Sequence, residues 1–168
     1  MASNPANRAN TSGSNVASNV ASNVASNVAS NVASNGASKD ASACPCGLPA
    51  LYSQCCGRWH HGPQQLQAPD AEKLMRSRYC AYVLGLHGYL LDTWHPSQRP
   101  ATPPLAEPGL KWLGLQVRQH VVQDADHATV EFVARSKLGG RAHRLHETSR
   151  FVREGGRWFY VDGDHKDA

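Results

Sequence analysis

The most constraining feature of this sequence is a group of four cysteines within thirteen residues, Cys44, Cys46, Cys55 and Cys56. Proline and glycine, rather than apolar residues, surround these cysteines, so the group does not have the pattern of core packing. Two close pairs of thiols separated by a short loop can supply the four tetrahedral ligands that zinc prefers. Because four thiolates leave no open coordination position, the spacing predicts a structural zinc site.

Other interpretations of the cysteines remain open at this stage. The thiols could take part in redox chemistry, or His60 or His61 could replace one cysteine and leave a coordination position for water. The fifth cysteine, Cys80, lies alone in a helical pattern. We interpret Cys80 as a small core or surface residue and not as a ligand.

The cysteines and the ends of the chain also bear on location. Clustered thiols in a protein without a secretory signal indicate a reducing compartment, where metal ligation is more common than disulfide formation. The N-terminal residues lack the apolar segment of such a signal, and no run of about 18 apolar residues is present. We therefore expect a cytoplasmic protein that does not associate with membranes.

Residues 1–43 differ sharply in composition from the rest of the chain. They contain no cysteine, histidine or aromatic residue, and Asn-Val-Ala-Ser occurs five times in succession between Asn15 and Ser34. With valine as the largest repeated side chain, this segment cannot bury enough apolar surface to offset the entropy lost on ordering. The composition predicts a disordered, low-complexity tail over residues 1–43.

The pattern of apolar residues after the cysteines predicts two helices followed by four strands. Asp70 is a candidate N-cap for a helix that continues to Gly85, and a second helix is expected from His87 to Trp94. The predicted strands cover 115–123, 128–137, 142–153 and 157–162. Gly139-Gly140 and Gly155-Gly156 are the expected turns between the last three strands. Helices followed by an antiparallel meander indicate an α+β fold.

Four residues in this region are candidates for a pocket: Arg78, Trp94, His95 and Glu147. Alternation along the third strand places Glu147 on the same face as the apolar Leu145 and Phe151, and an inward carboxylate needs a partner. Arg78 lies on the apolar side of the first helix, so we expect a direct ion pair between Arg78 and Glu147. In a catalytic interpretation His95 or Glu147 would act as acid or base. The sequence favours a structural role, because no complete set of nucleophile, base and orienting group can be named.

Several of these segments resemble a known family. The sequence from Cys44 to Gly57 resembles the SEC-C zinc motif, with Leu48-Pro49-Ala50 where that motif usually has Ser-Gly-Lys. The segments Met75–Tyr79, Thr93–Ser97 and His146–Phe151 are similar to the YchJ family of bacterial proteins, whose function is uncharacterised. The resemblance implies a SEC-C motif at residues 44–62. It also implies a nuclear-transport-factor-2-like (NTF2-like) domain at residues 63–168, in which helices pack on a curved antiparallel sheet around a pocket.

These observations lead to hypotheses of different classes. The first is a zinc-binding interaction module that docks on a protein partner through the cysteine knuckle. The alternative is a small-molecule-binding or lyase/isomerase-like domain that uses the pocket, and the sequence does not decide whether the protein is an enzyme. Nucleic-acid binding is not favoured, because the net charge is only +4 and the basic residues are scattered among acidic ones.

Overall fold

The computed structural model describes residues 41–102 and 107–166, so residues 1–40 of the tail predicted over residues 1–43 lie outside the described residues. The described part of the chain begins with a knuckle that carries Cys44, Cys46, Cys55 and Cys56 and contains a 3-10 turn, Tyr52–Gln54. Three α-helices follow: α1 (Gly57–His60), α2 (Ala71–Leu84) and α3 (His87–Asp92). Four strands complete the chain: β1 (Lys111–Val122), β2 (His127–Leu138), β3 (Arg141–Glu154) and β4 (Arg157–His165).

The long helix α2 begins and ends as its sequence predicts. The side chain of Asp70 accepts a hydrogen bond from the backbone N–H of Lys73 at 2.7 Å, which satisfies one of the free donors of the first turn. Gly85 ends the helix in the left-handed conformation, with φ of 70°, where glycine is favoured. The shorter α3 ends at Asp92, two residues before the predicted end at Trp94.

The four strands form one antiparallel meander in the order β1-β2-β3-β4, so the predicted α+β class is confirmed. Both Gly-Gly pairs form the turns between consecutive strands, and all four of these glycines have positive φ. Positive φ at both central residues is the requirement of the tight hairpin turn that matches strand twist.

The outer strands are longer than the alternation of apolar residues indicated. β1 starts at Lys111 instead of residue 115, and its pairing with β2 shifts register after Trp112 and again after Val117. Such bulges change which face a side chain occupies and bend the strand, so they interrupt the alternation from which a strand is recognised. β4 continues to His165 through a further register shift at Phe151.

The core lies between the concave side of this sheet and the helices, and the knuckle shares it. Fully or nearly fully buried residues include Leu74 and Leu90 from the helices and Val130 and Phe151 from the sheet. Ser42 and Ala43, inside the predicted tail segment, already contact the knuckle, since the Ser42 carbonyl accepts from the N–H of Tyr52 at 2.8 Å.

The buried side chain of His60 connects the knuckle to α2 through two hydrogen bonds. The Nε2 of His60 lies 2.8 Å from the carbonyl oxygen of Ser77, so Nε2 carries the proton and donates it. Nδ1 then accepts from the hydroxyl of Tyr52 at 2.6 Å. Burial lowers the pKa of His60 to about 4, which keeps the ring neutral and preserves this arrangement near neutral pH.

We predict that His60→Ala lowers the free energy of unfolding by about 3 kcal/mol, because it removes two buried hydrogen bonds between the knuckle and α2 and creates a cavity. His143→Ala is the control, since His143 is exposed on β3 and its loss should change stability by less than about 0.5 kcal/mol. Urea unfolding followed by circular dichroism measures both. Equal effects of the two substitutions would contradict the role of His60.

Candidate metal centre and cavity

The knuckle is a hairpin-like loop that brings two pairs of cysteines together. Ala43 pairs with Leu51, and the N–H of Cys44 donates to the carbonyl of Ala50 at 2.9 Å, so the first pair lies where the loop closes. The second pair, Cys55 and Cys56, follows the 3-10 turn and immediately precedes α1. Local backbone geometry therefore determines the positions of all four thiols.

Two glycines allow the loop to close tightly. Gly47 has φ of 84°, a left-handed conformation that glycine adopts without strain. At Gly57 the constraint is contact, because a Cβ would lie 2.7 Å from the carbonyl oxygen of Tyr52 and 2.9 Å from its ring. Any larger residue at position 57 would push the second cysteine pair away from the first.

The four sulfur atoms of Cys44, Cys46, Cys55 and Cys56 all lie within 4.8 Å of one another and form a group that could hold a metal ion. The Sγ atoms of Cys46 and Cys55 are 3.7 Å apart. A tetrahedral ion with metal–sulfur bonds of about 2.3 Å requires sulfur–sulfur distances of about 3.8 Å. The residues therefore fit a tetrahedral thiolate centre.

The four thiols do not hold their protons equally. A hydrogen bond with the Cys46 thiol lowers the pKa of Cys44 below its usual range, whereas burial raises the pKa of Cys55 to about 12. A cation bound by all four sulfurs would displace the protons that remain, so metal affinity falls as pH falls.

The histidines considered as replacement ligands do not belong to the group of four. Both ring nitrogens of His60 are engaged by Tyr52 and Ser77, which leaves no lone pair for a metal. His61 is exposed, and its ring lies 6.0 Å from the ring of Tyr52.

Cys80 lies closer to the knuckle than its sequence position indicated. It is fully buried on α2, and its Sγ is 3.7 Å from the Sγ of Cys44, although it lies outside the group of four. The signal in the sequence was the run of small residues Ser77, Cys80 and Ala81, which share one side of α2 at helical spacing. Small side chains on that side leave the space in which the knuckle packs.

The other side of α2 faces a cavity of about 270 Å³ between the helix and the sheet. As strand alternation predicted, Leu145, Glu147, Ser149 and Phe151 all face inward and line it. Trp112, Phe132, Tyr82 and Tyr160 also contribute to the walls. The cavity is partly open to solvent.

Arg78 lies at one end of this cavity and is only 5% exposed. Its Nη1 donates to the carbonyl of Leu90 at 2.8 Å and to the hydroxyl of Thr93 at 2.7 Å. The guanidinium also lies over the rings of Trp94 and Tyr160, at 5.1 and 4.6 Å from their centres. These contacts join α2 to the end of α3 and to β4.

The expected ion pair between Arg78 and Glu147 does not form, and that prediction is wrong. The Oε1 of Glu147 accepts hydrogen bonds from Ser149 at 2.6 Å and from Tyr160 at 3.2 Å, while Oε2 lies 3.2 Å from Nε2 of His165. Strand alternation predicts the direction in which a side chain points but not the width of the cavity that it must cross. Here Tyr160 contacts both side chains, with Arg78 over its ring and Glu147 bound to its hydroxyl.

Trp94 and His95 do not line the cavity. Trp94 packs edge-on against Tyr160 and serves as a wall behind Arg78. His95 lies in a separate shallow groove, where its Nε2 is 3.2 Å from Glu154 and its Nδ1 is 2.7 Å from the hydroxyl of Ser97. Of the two residues considered as acid or base, Glu147 therefore lines the cavity and His95 does not.

A cysteine knuckle seated on helices that pack against an antiparallel sheet defines a protein with a SEC-C motif and an NTF2-like domain. Residues 70–163 match the family model described as "YchJ, middle NTF2-like domain". The chain belongs to the YchJ family.

Relatives and solved structures agree with this assignment. UPF0225 proteins of Bordetella parapertussis and Methylibium petroleiphilum are 61% and 64% identical to this chain, over 73% and 72% of its length and 92% and 87% of theirs. A SEC-C motif containing protein from Rhodopseudomonas palustris, solved in solution, is 32% identical with a TM-score of 0.62 and covers 75% of this chain and 100% of its own.

A crystal structure of a SEC-C motif containing protein from Psychrobacter arcticus has the same TM-score of 0.62 at 29% identity, covering 77% of this chain and 86% of its own. The two solved structures and the family model confirm the resemblance and the fold that it implied. Within the described residues, no helix has the length and apolar character needed to span a membrane.

We predict that Gly163→Ala destabilises the protein by about 2 kcal/mol, because a Cβ at this position would overlap the side chain of Glu147 and displace it from Ser149 and Tyr160. Gly88→Ala is the control. An added Cβ there meets no other atom within 4 Å, and alanine favours the helix, so stability should be unchanged or rise by up to about 1 kcal/mol. Chemical unfolding of both variants tests this, and a harmless Gly163→Ala would show that Glu147 is free to move.

Proposed function

We propose that this protein binds a structural zinc ion through Cys44, Cys46, Cys55 and Cys56. The observation that carries the proposal is the approach of all four sulfurs to within 4.8 Å of one another. Thiolates favour zinc over hard cations such as magnesium or calcium, and a complete set of four protein ligands leaves no position for a substrate or water. The ion would hold the two ends of the knuckle together without taking part in a reaction.

The surroundings of the knuckle support a stable thiolate centre. Cys44, Cys46 and Cys56 are buried, and Arg76 of α2 donates to the carbonyl oxygen of Cys46 at 3.2 Å. A nearby cation lowers the electrostatic cost of a centre whose four thiolates exceed the charge of the metal. The same chemistry requires reduced thiols, and a cytoplasmic location is part of this proposal.

Purified protein is expected to contain one zinc ion per chain. Replacing Cys55 and Cys56 together with serine should remove the metal and lower the melting temperature, because the energy of metal binding contributes to folding. Elemental analysis with thermal unfolding measures both effects.

Cys80→Ala is the matched control, since it removes a buried thiol beside the knuckle but outside the group of four. This variant should keep its zinc. Metal content near zero in the unaltered protein, or equal loss from the Cys80 variant, would contradict the proposed ligand set.

We further propose that the knuckle docks on a protein partner through the groove beside it. The groove is formed by apolar side chains of the knuckle and of α1, including Leu48 and Trp59, and by basic side chains of α1 and α2, including Arg58 and Lys73. Arg58 lies over the ring of Trp59 at 5.5 Å. An arginine stacked on an aromatic ring beside an apolar depression is a combination frequent in protein interfaces.

The charges of the groove favour an acidic partner segment. Arg76 is already paired with Glu72 at 2.8 Å, whereas Arg58 and Lys73 form no ion pair with any residue that the structure describes. A segment that places a large apolar side chain against Leu48 and Trp59, with carboxylates on either side, would satisfy both cations. Such a segment of another protein is the partner that we propose.

Selection from a random peptide library displayed on phage tests the chemistry of the partner with zinc-loaded protein. We expect enriched peptides to carry Asp or Glu beside a large apolar residue and to bind more weakly as salt rises. The double variant Arg58→Glu and Lys73→Glu should weaken binding by about tenfold or more while keeping its zinc.

The double variant Arg135→Glu and Lys137→Glu is the control for this experiment, because it makes the same charge change on the exposed part of β2. It should leave peptide binding unchanged. Enrichment of basic peptides, or equal loss of binding in the control, would overturn the docking proposal without affecting the zinc proposal.

A further inference from the structure

We propose that the cavity of the NTF2-like domain binds a small organic anion, with a carboxylate held by Arg78 and Tyr82 and an apolar body among the aromatic and aliphatic walls. This site is separate from the knuckle and does not depend on its docking role.

Arg78 is a buried charge that the described residues leave without a counter-ion. The side chain is 5% exposed, yet no carboxylate lies within ion-pair distance of it among residues 41–102 and 107–166. A buried charge without a counter-ion is unfavourable, and burial lowers the pKa of this guanidinium from its ordinary value. A ligand carboxylate would supply the missing charge.

Arg78 has more hydrogen-bond donors than its Nη1 contacts occupy. A guanidinium carries five N–H donors, and the two on Nη1 are taken by Leu90 and Thr93. Tyr82 also lines the cavity, and its phenol is near enough to Arg78 for the guanidinium charge to oppose the rise in the Tyr82 pKa that burial causes. Donors of a guanidinium and a phenol side by side can bind both oxygens of a carboxylate.

The fixed position of Arg78 strengthens the site. The two hydrogen bonds of Nη1 and the rings of Trp94 and Tyr160 hold the guanidinium in one orientation at the end of the cavity. A donor that is already held in place loses little conformational entropy when a ligand binds.

The remaining walls determine the body of the ligand. They are apolar or aromatic and include Met75, Phe132, Ala134, Leu145 and Phe151. A volume of about 270 Å³ is slightly smaller than typical ligand pockets, which are roughly 300–1,000 Å³, so the cavity suits only a small ligand. An aryl or short alkyl carboxylic acid has the required size and division between a charged end and an apolar body.

Glu147 is the one carboxylate among the residues that line the cavity, and its existing contacts disfavour a cationic ligand. Its Oε1 already accepts from Ser149 and Tyr160, and its Oε2 lies beside His165, so its hydrogen-bonding capacity is directed to the protein. Arg78 has unused donors, whereas Glu147 has partners on both oxygens. A ligand anion at Arg78 is therefore favoured over an ammonium group at Glu147.

Titration of the full-length, zinc-loaded protein with benzoate and hexanoate tests the proposal, with benzamide and hexanamide as uncharged matches of the same shape. Binding is followed by chemical-shift changes in two-dimensional amide NMR spectra. We expect each acid to bind at least about tenfold tighter than its amide, with the shifted signals in α2 and β3.

Variants assign the preference to particular side chains. Tyr82→Phe removes only a hydroxyl and should weaken acid binding several-fold without affecting the amides. Glu147→Gln removes the competing negative charge and should strengthen acid binding. Arg78→Gln should abolish the preference for the acids, whereas Arg135→Gln, which changes an exposed arginine of β2, should leave it intact.

Each outcome decides the question. Should Arg78→Gln fail to fold, the comparison of acid with amide in the unaltered protein and the effect of Tyr82→Phe remain decisive. Equal binding of acids and amides, shifts confined to residues outside the cavity, or tighter binding of hexylamine or of the zwitterion leucine would overturn the proposal. None of these results would bear on the metal content or on peptide binding by the knuckle.

Discussion

The packing of the knuckle against α2 is the interaction on which the rest of the structure depends. A single buried histidine, His60, connects the hydroxyl of Tyr52 in the knuckle to the carbonyl of Ser77 in the helix. The small side chain of Cys80 lets the sulfur of Cys44 approach to 3.7 Å. On its other side the same helix presents Arg78 to the cavity. The group of four cysteines and the cavity therefore take their positions from one element.

Features that depend on local chemistry could be predicted from the sequence. The cap at Asp70, the end of α2 at Gly85 and the two Gly-Gly turns follow from backbone preferences of individual residues. The four cysteines could be grouped because all of them lie in one short loop, and the inward direction of Glu147 followed from alternation along β3. Each of these inferences needed only neighbours in the chain.

Features that depend on contacts between distant segments could not be predicted in the same way. The bulges of β1 interrupt the alternation that identifies a strand, so the sequence did not indicate that its first four residues belong to the strand. The distance between Arg78 and Glu147 depends on the size of the cavity, and the position of Tyr160 between them depends on a register shift in β4. The approach of Cys80 to Cys44 joins residues 36 positions apart, which no local pattern encodes.

Because α2 packs against the knuckle on one side and borders the cavity on the other, few substitutions in this helix can be tolerated. Of its fourteen residues, eight are buried, so little of the helix is left to face solvent. Packed interiors respond to changes of even one methylene group, and a substitution that shifts this helix toward the sheet also withdraws it from the knuckle. The cavity-lining residues of β3, by contrast, are not on the helix that carries the knuckle contacts of Ser77 and Cys80. Diversification of the cavity among relatives is thus easier through the sheet than through the helix that holds its arginine.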